Sequence, residues 1–485
     1  MKKLLVILFA LALVFSFTAP VMATDVSFDG SYRIRGWLDS NSALSENSTS
    51  NAYYDQRFRL GTVFQVAEGL KVTVRFDALD GTWGTQDMRN PIGTVVGLGV
   101  PDGSPLTPPA TTFVAGASDT SQSNLQFDMA YVSFMTGIGQ VEAGYMSDGT
   151  WGTGFGNLEG FKGKISFTTK VGDVILNVHT VKNTEADNGT QYSDRDGDSY
   201  RAFAIYNKDD IQAGLIWIYE RQANDPNGLN TALMAPVAWG GGGFVDDPQV
   251  QATANILSPY FKATIGDLYL EGEAGWLDGT LDISKCSPAE RAFLAAAGVP
   301  NDVDLEGLRV YLKAKYNIGS SYVGGLFAFV QGDDPNTAAV ENMNMDSGGD
   351  WDPMLILFND TCPTTLGNNR VTTPLDTRTT MTGSSMDNGS IYQVFAGTTM
   401  DKISIRSSLS YAKADENATD ATGAQYLNKD YGTEFDLEAS YKIYDNLTYS
   451  AGFGYLWAGD FYKGSVATNK IDDTYLLMNK LQVVF

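Results

Sequence analysis

Basic residues recur at two-residue spacing near the start of the chain, and their chemistry is the most specific that the sequence offers. The set consists of Arg33, Arg35, Arg57, Arg59, Lys71 and Arg75. An arginine guanidinium is always charged, and it binds carboxylate or phosphate groups through paired hydrogen bonds. Because residues two apart share one face of a β-strand, the spacing predicts strand faces that attract or bind anions.

The elements that carry these residues are predicted β-strands, and the rest of the chain repeats the same pattern. Eight pairs of strands meet at short turns rich in Gly, Asp and Asn, such as Glu68-Gly69 and Asp445-Asn446, and these residue types suit tight hairpins. A first strand at Val26–Leu38 and a last strand at Thr474–Phe485 bring the predicted total to eighteen, within a range of 16–18. Long polar segments separate the hairpins, so short turns alternate with long loops. This pattern predicts an all-β transmembrane antiparallel up-and-down barrel with short periplasmic turns and long extracellular loops.

The first 23 residues have the pattern of a secretory signal peptide. Lys2 and Lys3 precede an apolar run from Leu4 to Phe17, and small residues lead to Ala23. The apolar run is too short to span a bilayer as a helix. We therefore expect cleavage after Ala23, export of the chain, and a single barrel domain over residues 24–485.

Alternation predicts which side chains point into the barrel. A charged side chain that faces lipid at the membrane midplane costs about 2–4 kcal/mol, so the faces that carry arginine are expected to point inward. Later strands add the inward basic residues Arg309, Lys313 and Lys315. The predicted inward acidic residues are Glu271, Glu273, Glu434, Asp436 and Glu438. Basic and acidic walls would create a field across a channel, and the alternative left open is that the arginines only pair with neighbouring wall carboxylates.

The longest polar segment, Gly332–Ser390, contains the apolar residues Trp351 and Met354–Phe358. An apolar patch in a loop must be buried somewhere. It would narrow the channel if it folded into the lumen, and packing among the other outer loops is the alternative.

Charge and composition exclude several partners and activities. The formal net charge of −24 argues against a nucleic-acid partner. The acidic loops could hold cations that bridge to lipopolysaccharide, or they could be merely solvated. No spacing of residues indicates a metal site or a cofactor, and the lone His179 lacks serine and carboxylate partners in sequence. We therefore expect no enzyme activity.

The chain has two cysteines, Cys286 and Cys362, and both lie in predicted loops on the same side of the membrane. Export makes a disulfide between them compatible with the sequence, and two free loop thiols are the alternative.

The last strand carries Val483, Leu481 and Leu477 at two-residue spacing before a terminal Phe485. This strand resembles the closing strand of bacterial outer-membrane barrels, and the resemblance implies that the barrel-assembly machinery reads Phe485. A soluble protein that ends in a strand is the alternative for this feature alone.

Residues 24–485 as a whole resemble the Gram-negative outer-membrane porins and, more loosely, the eighteen-stranded substrate-selective and alginate-export-type barrels. The resemblance rests on the signal peptide, Phe485, the alternation of turns and loops, and strands such as Tyr54–Leu60. It implies passive diffusion of small hydrophilic solutes or ions through a barrel in outer-membrane lipid, commonly as a homotrimer. A barrel of 16–18 strands leaves an aqueous channel, and an arginine-lined wall would favour anions. The alternative function is a non-conducting scaffold or adhesin barrel that associates with a partner protein.

Overall fold

The computed structural model describes residues 25–41, 44, 50–84, 125–157, 160–185, 196–222, 251–282, 284, 291, 295, 300–341, 348, 351–359, 386–420 and 423–485. These residues form eighteen long antiparallel strands that close into one barrel, which confirms the predicted fold and strand number. The predicted signal peptide, Cys286 and Cys362 lie outside the described residues. No described helix is both long and apolar enough to cross a membrane.

The strand bounds differ from the predicted ones by a few residues. The strands are β1 (Asp25–Asp39), β2 (Asn51–Ala67), β3 (Leu70–Thr82), β4 (Leu125–Thr136), β5 (Gly139–Asp148), β6 (Gly160–Val171), β7 (Val174–Thr184), β8 (Gly197–Lys208), β9 (Ile211–Gln222), β10 (Gln251–Ile265), β11 (Leu268–Asp282), β12 (Asp302–Ile318), β13 (Ser321–Val330), β14 (Val340–Glu341), β15 (Gly389–Met400), β16 (Ile403–Lys413), β17 (Asp430–Tyr444), β18 (Leu447–Ala458) and β19 (Thr474–Val484). The two-residue β14 lies parallel to β12, and β13 pairs directly with β15 in the barrel wall.

The barrel closes where β1 pairs with β19. The backbone N–H of Gly30 donates to the carbonyl oxygen of Phe485 at 2.8 Å, and the N–H of Phe485 donates back to Gly30 at 3.0 Å. The Phe485 ring stacks near Phe58 with its centroid 6.3 Å away. A Cβ atom on Gly30 would lie 2.8 Å from the Phe485 ring, so the absence of a side chain there leaves room for the ring.

Alternate residues of each strand present apolar side chains to the outside of the barrel. Phe28, Ile165 and Val394 expose 60–62% of their surface, whereas the neighbouring Ser166 and Gln393 face the other way and are buried. An apolar outer face on a closed barrel is the surface of a transmembrane protein, since every backbone group is paired between strands. The barrel and this surface are those of a protein that spans a membrane with strands.

A charged residue on the outer face should destabilise the barrel far more than the same residue on the inner face. Ala439 in β17 is exposed and pairs with the apolar Ile405 and Ala451. We expect Ala439→Arg to lower the free energy of unfolding in lipid vesicles by about 2–4 kcal/mol. Ser440→Arg, on the adjacent inward position, is the matched control and should have a much smaller effect. Equal losses in urea unfolding of the two variants would contradict the assigned faces.

The largest buried apolar cluster lies on the inner side of the wall and at its loop end. Trp37, Tyr311, Ile391 and Leu456 contribute to it from the strands. Two segments outside the strands add to it, since residues 351–359 supply six members and residues 149–157 supply Phe155. These segments therefore pack against the inside of the barrel, where the predicted charged residues also lie.

Candidate functional site

Arg35 is the first basic residue of the inner wall with a carboxylate partner. Its Nε donates to Oδ1 of Asp55 on β2 at 2.9 Å. The indole Nε1 of Trp37 donates to the other oxygen of Asp55 at 2.6 Å. Asp55 is buried, and each of its two oxygens accepts one of these hydrogen bonds. The charge of Arg35 is therefore largely neutralised.

Arg59 and Arg75 are also paired. Arg59 makes two hydrogen bonds to Asp77, at 2.7 and 2.8 Å, in the fork geometry that suits guanidinium and carboxylate. Nε of Arg75 lies 3.2 Å from Oδ2 of Asp128. Arg57 approaches Asp77 only to 3.7 Å. The alternative that wall arginines pair with neighbouring carboxylates therefore holds for Arg35, Arg59 and Arg75.

Arg33 and Lys480 differ from these pairs. Arg33 lies directly across from Arg57 on one side and from Gln482 on the other, and Lys480 lies across from Arg35. Within the described part of the chain, neither Arg33 nor Lys480 forms an ion pair, and Nε of Arg33 is buried without a hydrogen-bond partner. Guanidinium and ammonium groups without an ion-pair partner retain donors for a carboxylate or phosphate, and the charges of Asp55 and Asp80 reduce the field of Arg33 without pairing with it.

The basic wall extends to β6 and β8 through residues that the sequence analysis did not select as site residues. Nη1 of Arg201 donates to Oδ1 of Asp148 at 2.8 Å, and Nζ of Lys164 lies 3.9 Å from the same oxygen. His179 bonds Asn177 through Nδ1 at 2.6 Å. The alternation that identified the early arginines would also have identified Arg201 and Lys480, had it been applied to every strand.

The remaining predicted basic residues lie on β3 and β12. Lys313 lies 3.1 Å from Glu271, and the Glu271 carboxylate also accepts hydrogen bonds from the hydroxyls of Tyr269 and Tyr311, each at 2.7 Å. Lys315 lies over aromatic rings, 5.5 Å from the nearer ring centroid. The structure records no ion pair for Lys71 among the described residues.

Glu273 on β11 binds the segment of residues 149–157. Its Oε2 accepts hydrogen bonds from the backbone N–H of Thr153 at 2.7 Å and from the Thr153 hydroxyl at 2.9 Å. Arg309 approaches the other carboxylate oxygen at 3.4 Å. The side chain of Glu273 is fully buried by these contacts.

Glu434 on β17 binds the segment of residues 351–359. Its Oε1 accepts the backbone N–H groups of Leu355 at 2.9 Å and Ile356 at 2.7 Å. Its Oε2 accepts the N–H of Leu357 at 2.8 Å. Three consecutive backbone donors thus converge on one buried carboxylate.

These contacts correct the expectation that all five predicted acidic residues border water. Glu434 and Asp436 are 0% exposed, and Glu273 is 3% exposed. The physical reason is that inserted backbone covers Glu273 and Glu434, while Asp436 accepts a hydrogen bond from Ser408. Glu438 is different, because 41% of its side-chain surface remains exposed beside Arg406.

The two inserted segments also contact each other, and we name them together the lumen bar (residues 149–157, 348 and 351–359). The N–H of Gly348 donates to the carbonyl oxygen of Phe155 at 2.7 Å. The rings of Phe155 and Trp351 meet edge to face at 4.9 Å, and Tyr311 stacks on Phe155 at 5.1 Å. Trp151 of the lumen bar packs against Phe203 on β8 and Tyr260 on β10. Leu355 packs against Gly454 on β18, so the lumen bar lies against wall strands from β8 to β18.

Comparisons with known proteins identify the fold. No protein-family model and no curated protein matches the chain. Among solved structures, OccAB1 of Acinetobacter baumannii matches with a TM-score of 0.52 at 11% identity, over 96% of this chain and 98% of that chain. Pseudomonas aeruginosa OccK8 (OprE) matches with a TM-score of 0.47 at 12% identity, over 95% and 98% of the two chains. The complex of Pseudomonas aeruginosa OccK2 (OpdF) with glucuronate matches with a TM-score of 0.46 at 10% identity, over the same shares. The likeness to OccAB1 shows that the chain has the outer-membrane porin fold.

Proposed function

We propose that this chain forms a water-filled channel for passive diffusion of small hydrophilic solutes or ions, and that the channel favours anions. Barrels of this strand number are wide enough to leave an aqueous passage. A lumen lined by fixed positive charge raises the local concentration of anions and lowers that of cations.

The observation that carries the proposal is the pair Arg33 and Lys480. Most other inner cations are offset by a carboxylate, but no described carboxylate forms an ion pair with these two. Lys480 experiences the charges of Glu438 and Asp352, so its field is reduced rather than cancelled. The net charge of the whole chain does not decide selectivity, because charges far from the passage are screened by salt within about 10 Å at 0.1 M ionic strength.

The decisive experiment is single-channel recording of the refolded protein in a planar bilayer, with the reversal potential measured in a KCl gradient. Stable conductance steps with a reversal potential shifted toward the equilibrium potential of chloride would support the proposal. Conductance steps whose reversal potential indicates a preference for potassium would overturn the proposed anion preference but not the proposed channel. A folded barrel without conductance would overturn the channel and favour a scaffold or adhesin that associates with a partner protein.

The proposal includes the remaining expectations from the sequence. The mature barrel would begin at residue 24, lie in outer-membrane lipid beside lipopolysaccharide, and assemble as a homotrimer after the assembly machinery has read Phe485. We assign no catalytic role to His179, whose Nδ1 is hydrogen-bonded to Asn177.

A further inference from the structure

We infer that Glu434 and Glu273 are two main positions at which the barrel wall holds the lumen bar, and that this attachment sets the limiting cross-section of the passage. The inference rests on the proposed channel function and adds the residues that determine its size limit. Glu273 and Glu434, which the sequence predicted as inward acidic residues of the channel, are thereby assigned a different role, which is to bind the backbone of the lumen bar.

At Glu434 the backbone donors of the segment converge on a single side chain. One carboxylate accepts three consecutive N–H groups, from Leu355, Ile356 and Leu357, all within 2.9 Å. Successive backbone N–H groups form a concavity that binds the oxygens of a carboxyl group. The same three donors would be costly to bury without an acceptor, so the carboxylate and this stretch of backbone require each other.

The neighbouring strands provide space and a second contact for the same segment. On the inner face of β18, a Cβ atom added to Gly452 would lie 3.1 Å from Leu355, and one added to Gly454 would lie equally close. Both positions are therefore too close to the segment for a side chain to fit freely. Gln393 on β15 donates to the carbonyl oxygen of Pro353 at 2.7 Å.

The attachment at Glu273 depends on glycines in the segment itself. Gly152 has a φ of +61°, a conformation that glycine adopts without strain. A Cβ atom on Gly156 would lie 1.7 Å from Oε1 of Glu273. The backbone thus approaches the carboxylate more closely than any residue with a side chain would allow.

Attachment at both ends, together with the contacts between Phe155 and Trp351, fixes the lumen bar against the inside of the wall. Fixed in this way, it occupies part of the lumen and narrows the space that is left for water and solutes. Release of one end would widen the passage.

Replacement of Glu434 tests the inference through two independent measurements. In Glu434→Ala, amide hydrogen exchange at residues 355–357 should become fast, while exchange in the barrel strands stays slow. The single-channel conductance should rise on the order of twofold, since it follows the cross-section of the aqueous passage. Glu434→Gln, which keeps the volume and one acceptor oxygen, should give intermediate values of both quantities.

Two further variants separate loss of the attachment from loss of charge or of folding. Glu68→Ala removes one carboxylate at an exposed short turn and should change neither exchange at 355–357 nor conductance. Leu357→Pro removes one of the three donors from the segment and leaves the wall side chains intact, so it should reproduce part of the Glu434→Ala effect. Far-ultraviolet circular dichroism of each variant reports whether the barrel has folded.

The outcomes distinguish this inference from the proposed function. Suppose that the wild type conducts, and that conductance and exchange at residues 355–357 are unchanged in both Glu434→Ala and Leu357→Pro. This result would overturn the inference but not the proposed channel function. Fast exchange without a change in conductance would show that the bar is held by Glu434 but does not limit the passage, which also overturns it. A silent wild type would overturn the proposed function, whatever the exchange data show.

Discussion

Replacement of Arg33 and Lys480 together by glutamate is expected to convert an anion-favouring channel into a cation-favouring one, so that the reversal potential in a KCl gradient changes sign. Each replacement changes the local charge by two units at a position where no described carboxylate forms an ion pair with the native residue. Because the two side chains lie on adjacent paired strands, β1 and β19, their fields add within a Debye length of about 10 Å at 0.1 M salt. The neutral pair Arg33→Gln and Lys480→Gln should give a reversal potential between those of the wild type and the glutamate variant.

A matched control is available at the other end of the wall. Lys208 sits at a short turn, is about half exposed and lies 3.8 Å from Asp173. Lys208→Glu makes the same change in charge outside the passage, so selectivity should stay close to that of the wild type. If the control shifts the reversal potential as much as the double variant does, the shift reflects total charge and the assignment of Arg33 and Lys480 is wrong.

The second large effect is expected at Gly156, where valine should lower the free energy of unfolding by about 3–5 kcal/mol, the cost of separating a buried ion pair. A Cβ atom at this position would lie 1.7 Å from Oε1 of Glu273 and 3.0 Å from Arg309. The Glu273 carboxylate would have to move away from both Arg309 and Thr153. Urea unfolding in lipid vesicles, followed by tryptophan fluorescence, measures the change.

Gly154 provides the control in the same segment. A Cβ atom there would contact only Trp351, at an ordinary 3.7 Å. Gly154→Val should therefore cost much less than Gly156→Val. Similar losses for the two variants would mean that valine disturbs the segment in general, and that the close approach to Glu273 is not the cause.

The fold could be predicted because it depends on local patterns. Alternation between apolar and polar residues requires only neighbouring positions, and the cost of a charge in lipid decides which face of each strand points inward. Short turns such as Asp445-Asn446 then define the hairpins. The strand number followed from these two rules.

The ion pairs of the inner wall could not be predicted in the same way, since they depend on register between strands. Arg75 meets Asp128 across β3 and β4, and the register of that pair shifts between Arg75 and Phe76. Such an irregularity has no clear sequence signal. Alternation therefore predicts which arginines face inward but not which of them are neutralised.

The lumen bar was harder still to predict from the sequence, because its contacts join distant parts of the chain. Thr153 and Glu273 are 120 positions apart, and Leu355 and Glu434 are 79 apart. The apolar stretch Met354–Phe358 showed that this loop must be buried, but the sequence did not decide between the lumen and the outer loops. The glycines at 452 and 454 on the inner face of β18 were the available signal for the lumen.

The pairing of β1 with β19 has a consequence for the rate at which the barrel forms. Each other neighbouring pair in the wall is joined by the chain that runs directly between its two strands, whereas this pair brings together segments as distant as Asn41 and Asp473, which are 432 positions apart. Contacts between distant segments slow folding, because chain entropy is lost before the contact forms. Hairpins should thus form early and the β1–β19 pair last. Substitutions at this seam, such as Gly30→Val, should slow refolding more than equally destabilising substitutions within a hairpin.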